Sequence, residues 1–113
     1  MKNEFKKIMK MSSELLSYCH LRGASEFHLD ISQIEGAAVI DIKAFPANVT
    51  DEEMALLQKK INAPRTREIE HEFWSLSGKS ANTSELMLVG MMTDEASVEY
   101  KDQTLSIELK RLV

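Results

Sequence analysis

The apolar positions of the chain follow two different periods. Between Glu4 and Leu21, the residues Phe5, Ile8, Met9, Leu15, Leu16 and Cys19 recur close to every 3.6 residues, which predicts an amphipathic helix carrying one apolar stripe. Gly23 follows, suited to the left-handed position that ends a helix. The period then drops to two. Phe27, Leu29 and Ile31 alternate with His28 and Asp30, and Ala38, Ile40, Ile42 and Ala44 alternate with Val39, Asp41 and Lys43. Each run predicts a strand with one buried and one wet face, and the segment Ser32 to Gly36 is expected to join them as an antiparallel hairpin.

Thr50-Asp51-Glu52-Glu53 has the form of a capping box, in which the Thr50 hydroxyl and the Glu53 carboxylate each take the other's backbone N–H. A short helix is expected through Met54, Leu57 and Ile61, with Pro64 forbidding its continuation. A second short helix would carry Ile69, Phe73 and Leu76 on one face, with Trp74 beside it, and stop at Gly78. The run from Asn82 to Thr93 suits either a buried strand or a helix, and Asn82 followed three residues later by Glu85 favours the helix. A last hairpin places Ala96, Val98 and Tyr100 against Leu105, Ile107 and Leu109 across a turn at Lys101-Asp102-Gln103. The fold class expected from this order is α+β: a single-domain, two-layer sandwich in which helices cover one face of a four-stranded mixed sheet.

A chain of 113 residues, 43% hydrophobic and 28% charged, suits one globular domain with a core of its own. Its single cysteine, Cys19, allows no intrachain disulfide, which with the charged start at Met1-Lys2-Asn3-Glu4 points to the cytoplasm. The longest strongly apolar run, Leu86 to Met92, is too short for a membrane span. The net charge of −4, with scattered Lys and Arg, argues against a nucleic-acid partner.

Candidate chemistry is sparse. Cys19-His20, His28 and His71 lack the spacing of a metal site, and Cys19 falls on the apolar stripe as a small hydrophobe. His28 and Asp30 with Asp41 and Lys43 could form an acid–base cluster, but cross-strand charge pairs on a wet sheet face explain them more simply. Gly23, Gly36, Gly78 and Gly90 stand too far apart to build a phosphate loop. Trp74 and the seven methionines read as core packing before they read as a partner surface.

The element order resembles the ATP-binding domain of the GHKL (Bergerat-fold) family, found in histidine kinases, gyrase, heat-shock chaperones and mismatch-repair proteins. Glu14-Leu15-Leu16-Ser17-Tyr18 looks like the family's N-box helix, Leu86 to Met92 like the helix after the second glycine box, and Ala96 to Leu109 like the closing strands. The resemblance implies a nucleotide site at the positions of Glu14, Tyr18, Ala44 and Asn48. Its diagnostic residues are replaced. Tyr18 stands where the family has a magnesium-binding Asn, and Ala44-Phe45-Pro46-Ala47-Asn48 stands where it has Asp-x-Gly-x-Gly. Thr83-Ser84-Glu85-Leu86 has no glycine, and only Glu14, the family's general base, remains. The expectation is a regulatory or protein-interaction module without catalysis or cofactor, whose partner is a protein. The alternative is a diverged ATP-binding protein or ATPase of that fold.

Overall fold

The computed structural model describes residues 4–65 and 85–112. The expected short helix with Ile69, Phe73, Trp74 and Leu76 lies outside the described residues, as does His71. The order is α1 (Glu4–Leu21), β1 (Glu26–Ile34), β2 (Ala37–Phe45), α2 (Asp51–Ile61), α3 (Glu85–Met91), β3 (Glu95–Lys101) and β4 (Thr104–Leu112). The described part of Asn82 to Thr93 contributes a helix, Glu85–Met91, as expected.

The four strands form one sheet in the order β1-β2-β4-β3, and every neighbouring pair is antiparallel. The expected mixed sheet is thus corrected, and the sheet departs in strand order and size from a GHKL sandwich. The reason lies in where β4 inserts. β2 and β3 run in the same direction, as a crossover through helices produces, but β4 sits between them and is antiparallel to both, so no parallel pair forms. Both hairpins also tighten relative to expectation. Only Glu35-Gly36 separates β1 from β2, with Gly36 at φ 79°, and Asp102 (φ 52°) and Gln103 (φ 64°) turn β3 into β4.

The register puts Leu29, Ile42, Ile107 and Val98 in one cross-strand row and Ile40 with Leu109 in the next, all on the helix-covered face. Asp30 and Asp41 oppose each other on the other face. Burial is unequal along the rows: Ile40, Ile42, Ile107 and Leu109 are sealed, while Leu29 on the outer strand is 37% exposed.

Helix α1 packs on β2 and α3, and α2 packs on α3 and β3. The stripe expected on α1 divides in two. Ile8, Met11, Leu15 and Cys19 are fully buried, with the Ser12 hydroxyl donating to the Ile8 carbonyl at 2.9 Å. Phe5, Met9 and Leu16 lie roughly 60–100° round the helix from that row at about 100° per residue. Phe5 is 54% and Met9 42% exposed, and Leu16 is half-buried. A helix seated on one strand seals only a narrow row, and the wider apolar stripe spills onto its flank. The capping box forms as expected: Glu53 N–H donates to Thr50 Oγ1 at 3.1 Å and Thr50 N–H to Glu53 Oε1 at 2.9 Å.

Two contacts lie outside any periodicity. Arg111, 2% exposed at the end of β4, donates to both Glu4 carboxylate oxygens, at 2.5 and 3.2 Å, and to the Met92 carbonyl at 2.7 Å. Gly90 lets α3 touch the end of α2: a Cβ there would stand 2.2 Å from the Lys60 carbonyl oxygen and 2.9 Å from the Ile61 Cα.

Because that neighbour is backbone, Gly90→Ala must push the two helices apart, and its expected cost in urea unfolding is ~1–3 kcal/mol. A loss under ~0.5 kcal/mol, the size of an ordinary surface change, would show that the helices do not meet at Gly90. Leu15→Ala is expected to lose ~2–5 kcal/mol in the same assay, and Leu16→Ala distinctly less, because only Leu15 is sealed.

Candidate functional site

The two flanks of α1 face different surroundings. On one side Tyr18 points toward α2 and α3, and the Arg22 guanidinium lies over its ring, 5.5 Å from the centroid. Arg22 in turn bonds the Glu53 carboxylate, whose other oxygen holds the capping box. These three residues, with Leu56, Leu57, Lys60 and Leu86, line a cavity of about 200 Å³. Burial, the main cause, raises the Tyr18 phenol above its ordinary pKa. The Glu53 carboxyl is lowered, first by the Thr50 backbone N–H and then by Arg22.

The four positions that the GHKL resemblance implies have different surroundings. Only Tyr18 lines the cavity. Glu14 pairs with Lys10 one turn back, at 2.9 Å. Ala44 is sealed within the sheet core. Asn48 is exposed, and its backbone N–H donates to the Arg22 carbonyl at 2.8 Å. Phe45 is on the sheet's open face, stacked on His28 at 6.0 Å, and so does not fill space beside the helices. The Arg22–Glu53 pair, unmarked by any sequence motif, closes the region instead.

The open face is charged. Lys43 approaches Asp41 at 3.8 Å, and His28 bonds Glu26 at 2.9 Å, but these two pairs run along single strands and not across them as expected. Among the described residues, no three His, Cys, Asp or Glu side chains come together as a metal-holding group. Cys19 is a buried free thiol whose pKa burial pushes up to about 11. No helix of the described residues is long and apolar enough to cross a membrane.

The other flank of α1 is apolar and open. Ser13, Leu16, Ser17, His20 and Leu21 of α1 and Phe27 of β1 line a groove of about 610 Å³. Leu21 is 73% exposed there, and the side chains of Phe27 and Leu29 continue the surface along β1. Beyond them lies the edge of the sheet, where β1 is the outermost strand and has no strand beside it among the described residues. A two-residue hairpin closes on a hydrogen-bonded pair, here Ile34 and Ala37, so the alternation of an antiparallel ladder fixes which groups face out. Glu26, His28, Asp30 and Ser32 turn their N–H and C=O toward β2, and Phe27, Leu29, Ile31 and Gln33 turn theirs to the edge. The second hairpin, closing on Lys101 and Thr104, gives the same alternation when carried across β4 and β2.

The opposite edge is defended differently. β3 has seven residues, with Glu95, Glu99 and Lys101 along it, and packs against α2. Tyr100 also donates to the Ala47 carbonyl at 2.6 Å. β1 has nine residues, a continuous register and neither Lys nor Pro, the residues that usually blunt an edge.

Two outcomes are expected from this chemistry. A carboxyl whose folded pKa is depressed stabilises the fold above its unfolded pKa and loses that contribution as pH falls through the folded value. Stability should therefore decline on acidification below about pH 4.5, and Glu53→Gln should flatten part of that slope in urea titrations at several pH values. Cys19 should react with a thiol reagent at pH 8 at the rate of global or local opening, with urea restoring the rate of a free thiol.

The chain matches no family model, and no curated protein matches it, so the reading of these two flanks stands on their geometry.

Proposed function

We propose that this chain is a non-catalytic protein-interaction module of a reducing compartment such as the cytoplasm, and that it receives its partner along β1 and the adjoining α1 groove. The observation that carries this reading is the coincidence of an unblunted nine-residue sheet edge with a groove lined by half-buried Leu16 and exposed Leu21 and Phe27, beside exposed Leu29. A strand added to such an edge gains main-chain hydrogen bonds from the edge and side-chain burial from the groove. Large contiguous apolar surface rimmed by polar groups is characteristic of interaction sites. The buried thiol of Cys19 suits a compartment that keeps thiols reduced.

The competing ATP-binding reading lacks support where it would need it. A nucleotide requires a pocket with backbone amides open to its phosphates. The space beside Tyr18 is about 200 Å³ and holds the Arg22–Glu53 pair.

Calorimetric titration with magnesium-ATP is expected to show no binding tighter than ~1 mM, and hydrogen exchange in dilute protein should find the Phe27, Leu29 and Ile31 amides exchanging rapidly beside protected His28 and Asp30. Micromolar ATP affinity that Tyr18→Ala abolishes would replace this reading with the nucleotide-binding one. Slow exchange at all five amides in the monomer would mean that β1 is covered within its own chain.

A further inference from the structure

The partner that best fits β1 is already encoded in β1. We infer that two copies of this chain associate through their β1 strands, antiparallel about a two-fold axis centred on Leu29, to form one continuous eight-stranded sheet. The inference rests on reading β1 as the docking edge, and goes beyond it by naming the occupant and the register.

Symmetry restricts the choices. A two-fold axis normal to the sheet keeps both sets of helices on the same side, so residues that face one another across the axis must share a side of the sheet. It must also oppose outward-directed backbone groups to one another, which brings Phe27, Leu29 and Ile31 of the two copies into the new ladder. Four registers meet these conditions with a useful overlap, and the side chains separate them.

Centring on Asp30 sets two Asp30 carboxylates face to face. Centring on His28 opposes His28 to His28 and sets Glu26 against Asp30 twice. Like charges directly opposite are destabilising. Centring on Ile31 avoids charge conflict but sets Leu29 against Gln33 and His28 against Ile34. Centring on Leu29 pairs Leu29 with Leu29 of the second copy and Phe27 with Ile31 on the helix side. On the open side it pairs His28 with Asp30, twice by symmetry, and Glu26 with Ser32. Both faces are then matched in kind: apolar against apolar, hydrogen-bond donor against carboxylate.

The structure supplies a reason why Asp30 accepts that neighbour. Its cross-strand partner within the chain is Asp41, whose own next partner on β4 is Glu108, so three carboxylates stand in one row of the open face. Lys43, 3.8 Å from Asp41, is the adjacent cation of that row, and Asp30 lies at its outer end. The facing His28 has Glu26 on its own strand and Lys43 and Phe45 on β2 as neighbours. His28 of a second copy places an N–H donor at the exposed end of the carboxylate row. On the helix side, three strand spacings of about 4.8 Å set the two α1 helices roughly 14 Å apart. That gap suits the flanks bearing Leu16, which would close over the Phe27 side of both β1 strands.

Sedimentation equilibrium of the full chain should give a reversible transition from the 12.8 kDa monomer to twice that mass. Charge exchange then tests the register. His28→Asp opposes Asp to Asp30, and Asp30→Lys opposes Lys to His28, so each variant alone should dimerise about tenfold more weakly. Inside the chain, however, Asp at position 28 would face Lys43, and Lys at position 30 would face Asp41. Both variants keep or gain a favourable cross-strand pair, and loss of the dimer cannot then be ascribed to unfolding, which circular dichroism checks. Mixing the two variants should restore association as a heterodimer to about the wild-type strength. Leu29→Lys, at the axis, should abolish it in either background.

A chain that stays monomeric up to about 1 mM overturns the self-pairing. So does a dimer indifferent to both charge variants and to Leu29→Lys. Either result with rapidly exchanging Phe27, Leu29 and Ile31 amides leaves β1 open to a different strand, so the interaction-module reading survives. Slow exchange of those amides in the monomer removes both.

Discussion

The pairing of β2 with β4 is the constraint on which the rest of the fold depends. Their helix-facing residues, Ala38, Ile40, Ile42 and Ala44 against Leu105, Ile107 and Leu109, are at most 1% exposed. No other pair of strands offers an apolar surface so continuous, so the helices gather over it, and α1 takes its seat on β2. What lies outside that footprint follows from this choice. β3 retains α2 as cover, whereas β1, joined to β2 by a two-residue turn, cannot shift inward and remains beyond the helix layer. The central pairing also joins residues far apart in sequence, since β4 comes from the end of the chain. The sheet cannot be completed until the C-terminal hairpin docks, a non-local closure that carries a large entropic cost.

Arg111 secures that closure. It sits on the helix side of β4, where Leu105, Ile107 and Leu109 set an apolar pattern, yet it is buried because its guanidinium meets Glu4 and the Met92 carbonyl. One side chain thereby links the start of α1, the segment after α3 and the last strand. A buried ion pair adds modest net stability, because desolvation offsets most of its attraction. Its directional hydrogen bonds contribute something different, which is a fixed relation between the two ends of the chain. An apolar residue at position 111 could pack there without specifying where α1 begins.

The sequence made some of this legible and concealed the rest for physical reasons. Alternation along Ala38–Ala44 and Leu105–Leu109 identified strands and their buried faces, because an even period leaves one face to bury. The Thr50–Glu53 box located α2 because both of its bonds are local. Strand neighbours were not legible: a crossover gives β2 and β3 a common direction, and nothing in their own residues says that β4 will insert between them. Periodicity also overstated the buried stripe of α1, since it records that Phe5, Met9 and Leu16 are apolar without recording how narrow the seat on β2 is. Arg22 and Glu53, 31 positions apart, were invisible as a pair, as was the approach of Gly90 to the α2 backbone. The GHKL resemblance drew on element order, which apolar periods supply, and placed a site at Glu14, Tyr18, Ala44 and Asn48, of which only Tyr18 lines the cavity beside α2.

The two flanks of α1 show how the same helix can be finished on one side and unfinished on the other. Toward α2, Glu14 has Lys10, Arg22 has Glu53 through one guanidinium nitrogen, and Tyr18 lies under Arg22, while Arg22 Nε is buried without a partner among the described residues. Toward β1 the outermost strand turns backbone donors and acceptors to solvent beside exposed leucine and phenylalanine. Backbone groups in water are satisfied, so an open edge costs the monomer little, and the exposed side chains forgo only burial. A strand arriving at that edge exchanges water for backbone partners at small net gain per bond, and the apolar contacts beneath supply most of the favourable free energy. To enter the flank that holds Arg22 and Glu53, a ligand would first have to displace their ion pair, a cost that the β1 flank does not impose. On physical grounds the free energy left for binding therefore lies along β1, on the side of α1 away from the cavity.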